Sequence, residues 1–194
     1  MSSVVSSTAT QVAFKEWAVI CAALAAGQQT IVLRKGGIHE GRAGFRVAHR
    51  EFWLLPTHFH ASADALVPAA AEFIESEQAL PTVTDEAFQI QHYAAVEEVI
   101  ELREEAAALA LAGLHLWSEQ TVKSRFAYKQ PGLFLLITRI HALPHRLKVL
   151  NTPQIAGCRS WVDLPEAIDT LALSPVLSDD AFRAAVEAVH QALR

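Results

Sequence analysis

Cysteine is scarce in this sequence, which has two in 194 residues, Cys21 and Cys158. A chain of this length buries a core large enough to fold without covalent cross-links. Two cysteines so far apart are typical of free thiols in a reducing compartment. The sequence also lacks an apolar run of the ~20 residues that a membrane span needs, and its first residues lack the basic start of a signal peptide. These absences predict a cytoplasmic protein with no required disulfide and no membrane partner.

Several motifs with known chemistry are missing as well. The sequence has no Gly-x-Ser-x-Gly, Cys-x-x-Cys or His-Glu-x-x-His segment, and no Walker-type Gly-Lys-Ser/Thr. A hydrophobic content of 52% with 19% charged residues excludes a disordered chain. The function of this globular chain therefore has to be sought among scattered polar residues.

Charge is distributed unevenly, although the net charge is only −5. Residues 71–120 contain eleven acidic residues and one basic residue, whereas residues 121–160 contain seven basic residues and no acidic one. Solvated surfaces usually mix the two signs, so the basic segment either contacts phosphates or packs against the acidic segment before it. The seven basic residues are Lys123, Arg125, Lys129, Arg139, Arg146, Lys148 and Arg159.

Apolar spacing predicts an α/β or α+β fold, with helices packed on a mixed β-sheet. Helices are predicted from Thr10 to about Ala26, from Ala69 to Glu75 after Pro68, from Glu101 to Ala112, for one turn from Ser118 to Arg125, and after the cap Ser178. Strands are predicted at Gln29–Lys35, Phe45–Leu55, Phe88–Val96, Leu133–Ile140 and Cys158–Leu164. Residues 1–80 and 81–194 form two lobes or one continuous domain.

The first two predicted strands enclose the most polar part of the chain, from Thr30 to His60. This stretch holds five of the 16 Lys/Arg residues and four of the nine His residues. A hairpin with a wide basic loop is expected here. Its Gly36-Gly37 turn, after Arg34 and Lys35, either cradles a phosphate or simply joins the strands.

His49 and Glu51 lie two residues apart and share one face of an ideal strand. A carboxylate beside an imidazole raises the pKa of the imidazole toward working pH, so the two residues are candidate acid–base catalysts. Together with His58 and His60 they also form a candidate site for a divalent metal. Packed or solvated polar side chains are the simpler interpretation of all four.

The segment HREFWLLPTHFH, with LRKGG before it and CRSWVDL after it, resembles an uncharacterised bacterial family, the domain of unknown function 1802. The similar positions run from Phe14 to the last helix. They comprise Glu16-Trp17, Leu33 to Gly37, His49 to Phe52, Pro56-Thr57, His115 to Trp117, Arg125-Phe126 and Ser160 to Val162. The family brings no established activity, so this resemblance assigns no catalytic residue.

The second half of the chain is also similar to small β-barrels of the ASCH and PUA kind, which bind RNA or modified bases. Their Gly-Lys-Glu-Arg signature is matched by Gly113, Glu119 and Arg125. His115 stands where a lysine is expected, and the glutamate is displaced.

The leading hypothesis is nucleic-acid or nucleotide binding with phosphodiester processing. His49 and Glu51 would be the acid–base pair, and the phosphate would be held by Arg34, Lys35, Arg50, Arg125 and Arg159. The first alternative is a non-enzymatic protein-interaction protein, in which the acidic and basic segments dock a partner. The second is a metal-dependent hydrolase of a small substrate. The cofactor is accordingly none or a divalent metal.

Overall fold

A computed structural model describes residues 8–35, 48–57, 63–78, 87–156 and 159–194. Its strands are β1 (Ala9–Trp17), β2 (Ile31–Arg34), β3 (Glu51–Thr57), β4 (Ala87–Leu102), β5 (Leu133–Leu150), β6 (Trp161–Asp169) and β7 (Ser174–Pro175). Its α-helices are α1 (Ala18–Ala25), α2 (Ala71–Gln78), α3 (Glu105–Ala110), α4 (Glu119–Ala127), α5 (Pro153–Ala156) and α6 (Asp179–Ala192). None of these helices combines the length and the apolar character that a membrane crossing requires.

The seven strands form one mixed sheet, in the order β2-β5-β4-β3-β1-β6, with β7 paired to β5. The pair β1–β3 is parallel, and the other pairs are antiparallel. The predicted mixed sheet with packed helices is therefore confirmed as an α+β fold. The sheet is open between its end strands β2 and β6, so a closed barrel is not confirmed.

Strands from both halves of the chain join in this sheet, and two separate lobes are not confirmed. Residues 79–86, where the boundary was expected, lie outside the described residues. A domain division at this place stays a prediction.

The predicted hairpin of the first two strands is wrong. β2 pairs with β5, whereas β3 lies between β1 and β4. The long connection between β2 and β3 does not force them to pair, unlike a two-residue hairpin turn.

The first predicted helix is also wrong over its N-terminal half, which forms β1. This strand lies between β3 and β6, and both faces carry buried residues, among them Ala13 and Phe14. Burial on both faces removes the polar–apolar alternation that identifies a strand. The apolar residues of such a strand are easily mistaken for one face of a helix.

Helix ends agree better with the sequence. Ser118 and Ser178 cap α4 and α6 by accepting hydrogen bonds from the N–H groups of Thr121 and Ala181. Pro68 begins a short 3-10 helix that leads into α2, as expected for its fixed φ. Caps are local chemistry, so a sequence carries them directly.

Two core clusters lie on the two sides of β3. Phe52 and Leu54 belong to the larger core cluster, which includes Phe14 and Trp117. Trp53 and Leu55 belong to the smaller core cluster, which includes Tyr93, Ile90 and Leu164. The alternation follows from the two-residue repeat of a strand.

The long strands β4 and β5 pair over most of their length but shift register at Ile90/His92 and at Val96/Glu98. Such bulges bend a sheet and increase its twist. Although β2 and β6 are opposite ends of the strand order, the side chain at the end of β2 reaches residues next to β6. The candidate site lies at this meeting point.

Candidate functional site

Arg34 is the residue that connects the two ends of the sheet. It is the last residue of β2, and its Nη2 donates to Ser160 Oγ, 2.6 Å away and just before β6. Its Nη1 donates to Glu16 Oε2 in β1 at 3.3 Å. The guanidinium also lies over the Phe14 ring, 4.6 Å from the centroid. The side chain is 17% exposed, so this is a largely buried ion pair.

The Glu16 carboxylate is held from several sides. Its side chain is fully buried, and Oε1 accepts the N–H of Trp17 at 2.7 Å. Its main-chain carbonyl accepts the Thr57 hydroxyl at 3.0 Å. A buried carboxylate needs a cation and hydrogen bonds to be tolerated, and Arg34 provides the cation.

Arg125 places a second guanidinium beside the first ion pair. It lies in the last turn of α4, with its Cζ 3.7 Å from the centroid of Trp117 and 5.6 Å from that of Trp17. The two indoles meet edge to face, 4.7 Å between centroids. Desolvation lowers the pKa of Arg125, the Glu16 charge opposes that shift, and the Arg34 charge adds to it.

The Arg125 guanidinium, on a half-buried side chain, donates no hydrogen bond to any residue in the described part of the chain. Arg34 by contrast has both a carboxylate and a hydroxyl as acceptors. A guanidinium has five donors, and those of Arg125 remain open to solvent or to an anion. The arrangement is therefore able to accept an anion. We call the group of Glu16, Trp17, Arg34, Trp117, Arg125 and Ser160 the tryptophan–arginine cluster.

Other buried polar atoms around this cluster lack partners within the described residues. They are Arg34 Nε, His115 Nε2, Trp117 Nε1 and Trp161 Nε1. His115 Nδ1 accepts the N–H of Trp117 at 3.1 Å, and burial lowers the pKa of His115 to about 4. His115 is therefore neutral at pH 7 and adds no charge to the site.

The ammonium group of Lys35 is bound by main-chain carbonyl oxygens. Its Nζ donates to the carbonyl oxygens of Phe126 and Gly132, each at 2.8 Å, and to that of Gln130. These bonds hold the turn between α4 and β5, which contains Lys129 at φ 58°. An ammonium group has three donors, so none is left for phosphate.

His49 and Glu51, the predicted acid–base pair, have different neighbours in the structure. His49 is exposed and lies edge to face against Trp161, 5.3 Å between ring centroids, on the side of the larger core cluster. Burial, and then the neighbouring Glu51 carboxylate, raise the pKa of Tyr93, which belongs to the smaller core cluster. β3 begins only at Glu51 and the chain bends at Arg50, so the strand geometry that would place the two residues on one face does not extend to His49. Their role as an acid–base pair stays a prediction.

The other predicted phosphate ligands differ in what they contact. Arg50 Nη1 lies 3.5 and 3.4 Å from the carbonyl oxygens of Val96 and Glu97. Arg159 is exposed and immediately precedes Ser160 of the cluster.

The predicted metal site cannot be assembled from the described residues. Among them, no three His, Cys, Asp or Glu side chains gather as metal ligands. His58 and His60 lie outside the described ranges, as do the Gly36-Gly37 turn and Cys158. Metal binding by the four predicted residues, and the absence of a required disulfide, stay predictions.

The basic segment does not present one uniform surface. Arg139 is buried and pairs with Asp179 at the start of α6, and Lys123 pairs with Glu119 within α4. Arg125 lies on the indoles, whereas Lys148 and Arg159 are exposed. In the described ranges none of the seven forms an ion pair with the acidic residues of β4, where Glu98 pairs with His190 and Glu101 with Arg103.

A family model for the domain of unknown function DUF1802 matches residues 13–188. The chain belongs to this family. The fold brings together residues from the segments that carried the resemblance: Glu16-Trp17, Arg34, His49, Thr57, His115 and Trp117, Arg125, and Ser160-Trp161. In the sequence these residues are spread over most of the DUF1802 match.

A search of the curated proteins finds no match. Among solved structures, the crystal structure of ASCH from Zymomonas mobilis is similar over 91% of this chain and 93% of its own, with 12% identity and a TM-score of 0.40. A mutant of the same protein gives 10% identity and a TM-score of 0.39, over 91% and 96%. A likeness at this level transfers no function.

Arg34, Arg125 and Arg159 were proposed as site residues from the sequence, but Glu16 was not included. Glu16 lay within the predicted helix, and Trp17 was assigned to its apolar face. The signal that was available is the Glu-Trp dipeptide in the family resemblance, because an acidic residue next to a buried aromatic residue needs a partner.

Proposed function

We propose that the protein binds single-stranded nucleic acid or nucleotides through the tryptophan–arginine cluster. The observation that carries the proposal is the Arg125 guanidinium, stacked on Trp117 with no acceptor among the described residues. A phosphate oxygen would supply the missing acceptor. Arginine suits this role because its planar fork binds phosphate in a bidentate manner and also stacks on aromatic rings.

The neighbours of Arg125 support the same function. Trp17 is partly exposed beside it, and a nucleobase stacked on an aromatic side chain is worth ~1–3 kcal/mol. Arg159, exposed next to Ser160, offers a further cation at the edge of the cluster. Aromatic surfaces interleaved with cations are typical of proteins that bind single strands without strong sequence preference.

A purely structural role for Arg125 is the competing interpretation. A cation in the last turn of a helix interacts favourably with the helix dipole, and a cation on an indole contributes ~0.5–2 kcal/mol. These effects explain its position without using the guanidinium donors, which are left for water or for a ligand. We do not extend the proposal to phosphodiester cleavage, because His49 and Glu51 contact different core clusters.

The test is the affinity of short fluorescent RNA and DNA single strands at low salt, measured by anisotropy. Arg125→Gln should weaken binding of all sequences about 10- to 100-fold, the loss expected for a charge-assisted hydrogen bond. Arg183→Gln is the matched control, since it removes one positive charge from an exposed side chain of α6. It should change affinity less than about twofold.

Repeating the titration at several salt concentrations measures how the affinity depends on salt. If Arg34, Arg125 and Arg159 contact phosphates, the slope of log affinity against log salt should be near −2, from about 0.7 per contact. Arg125→Gln should make that slope shallower by about 0.7. Equal affinities of the two variants, or no binding at low salt, would contradict the proposal.

A further inference from the structure

The cluster contains an uneven number of buried charges. Arg34 and Arg125 are two cations, and Glu16 is the carboxylate that interacts with both, fully buried and 3.3 Å from Arg34. His115 is neutral, since burial lowers its pKa to about 4. The ammonium group of Lys35 donates its hydrogen bonds to main-chain carbonyl oxygens outside the cluster. Within the described residues the cluster therefore carries one net positive charge.

Burial makes this count important for the choice of ligand. Exposed charges such as Arg159 are screened by water and salt, whereas desolvated charges must be matched locally. One negative charge neutralises the cluster. Two negative charges leave one of them uncompensated next to the Glu16 carboxylate, which repels it.

Phosphate groups differ in this respect. A phosphodiester inside a polynucleotide carries a single negative charge, whereas a terminal phosphate carries close to two above its second pKa of about 6. We propose that the tryptophan–arginine cluster takes a singly charged internal phosphodiester and discriminates against terminal phosphates, with Glu16 as the residue that sets this specificity. This inference rests on the proposed function and narrows its ligand to the interior of a strand.

Two small ligands that differ by one methyl group and one charge test the inference directly. They are a nucleoside 5′-monophosphate and its methyl phosphate ester, titrated at pH 8 and up to millimolar concentration by calorimetry or NMR. The ester should bind wild-type protein roughly tenfold more tightly, because only it matches the charge of the site. Equal or tighter binding of the monophosphate overturns the inference, as does binding of an oligonucleotide when neither small ligand binds.

Glu16→Gln tests the role of the carboxylate. The amide keeps an acceptor for the Trp17 N–H but removes the negative charge, so the monophosphate should gain on the order of tenfold and the preference for the ester should vanish. An unchanged preference in a folded variant overturns the assignment to Glu16. If the variant does not fold, as judged by circular dichroism, the two ligands on wild-type protein decide alone.

Failure of this inference is distinguishable from failure of the proposed function. Binding of both nucleotides and oligonucleotides with a preference for the terminal phosphate would support the proposed function and contradict the charge discrimination. Absence of binding to either class of ligand at low salt would contradict both the proposed function and the charge discrimination.

Discussion

Lys35, which was proposed from the sequence as a phosphate ligand, makes structural contacts in the fold. Its ammonium group donates to three main-chain carbonyl oxygens at the end of α4 and in the following turn. Lys129 belongs to the turn whose carbonyl oxygens Lys35 contacts, and its ammonium group lies over the Tyr128 ring. Two lysines that look alike in the sequence therefore have different roles in the structure.

We expect Lys35→Met to lower the free energy of unfolding by about 1–3 kcal/mol, because carbonyl oxygens lose a charged donor. Lys129→Met is the control and should change it by less than about 0.5 kcal/mol. Urea denaturation measures both. An unchanged stability with weakened oligonucleotide binding would instead support a phosphate-binding role for Lys35.

Two histidines, the buried His115 and the half-buried His92, make stability depend on pH. Burial lowers the pKa of both His92 and His115 to about 4, whereas an unfolded histidine titrates near 6.5. Below pH 6.5 the unfolded state binds protons that the folded state does not, so stability falls as pH decreases from about 6.5 to 4. At pH 5 the loss should be about 2 kcal/mol for each histidine.

The prediction is tested by comparing denaturation at pH 7 and pH 5 for wild type and His115→Gln. The variant should lose about 2 kcal/mol less on acidification, since it has one such group fewer. His145→Gln, at an exposed position, should behave like wild type. A wild-type stability that is equal at the two pH values would contradict this account.

At the scale of elements, glycine ends α1 for a reason visible in the structure. Gly27 follows the helix at φ +69°, and a Cβ built there would lie 2.6 Å from Leu177 Cδ2. Gly113 follows α3 at φ +86°, with no atom within 4 Å of such a Cβ. Both positions favour glycine through backbone conformation, but only Gly27 is also crowded.

Gly27→Ala and Gly113→Ala are therefore a matched pair. The left-handed conformation should cost each variant about 1–2 kcal/mol of stability. Gly27→Ala should cost more than Gly113→Ala, because Leu177 must also move. Thermal or urea denaturation measures the difference, and a smaller effect at Gly27 would show that the Leu177 side chain yields freely.

Elements are predictable from this sequence where local chemistry defines them. The caps Ser118 and Ser178 and the end of the first helix near Ala26 agree with the sequence prediction, because each is defined within a few residues. β1 was missed because both its faces carry buried residues. The predicted strand Phe88–Val96 is shorter than β4, and the predicted helix from Glu101 overlaps the last two residues of that strand. Alternation disappears wherever a strand is covered on both sides.

At the scale of the whole molecule, strand order could not be predicted. Nothing near β2 or β3 in the sequence says that β5 and β4 lie between them. The cluster depends on this topology, since Arg34 meets Ser160 although they are 126 residues apart. Arg34 and Arg125 could be predicted as single residues, but their common position beside the Glu16 carboxylate could not.

The contributions of Glu16 and Arg34 to the free energy of unfolding should depend on each other, because the two side chains form one ion pair. Arg34→Met leaves the buried Glu16 without its cation and should cost about 3–5 kcal/mol. The double variant Glu16→Gln/Arg34→Met should lose less than the sum of the two single variants, because neither charge is then left alone. Additive losses in the double-mutant cycle would show that the pair contributes nothing beyond its separate residues.

The central claim is that a single strand binds at the indoles of the tryptophan–arginine cluster, and the indole N–H signals of the four tryptophans test it most directly. Trp53 is an internal control, since it is fully buried and its Nε1 already donates to the Thr10 carbonyl at 3.1 Å. On titration with an unlabelled oligonucleotide at low salt, we predict that the ¹⁵N–¹H signals of Trp17 and Trp117 shift in parallel with saturation while that of Trp53 stays in place. Binding that leaves the Trp17 and Trp117 signals unmoved, or no change in any of the four, would contradict the account.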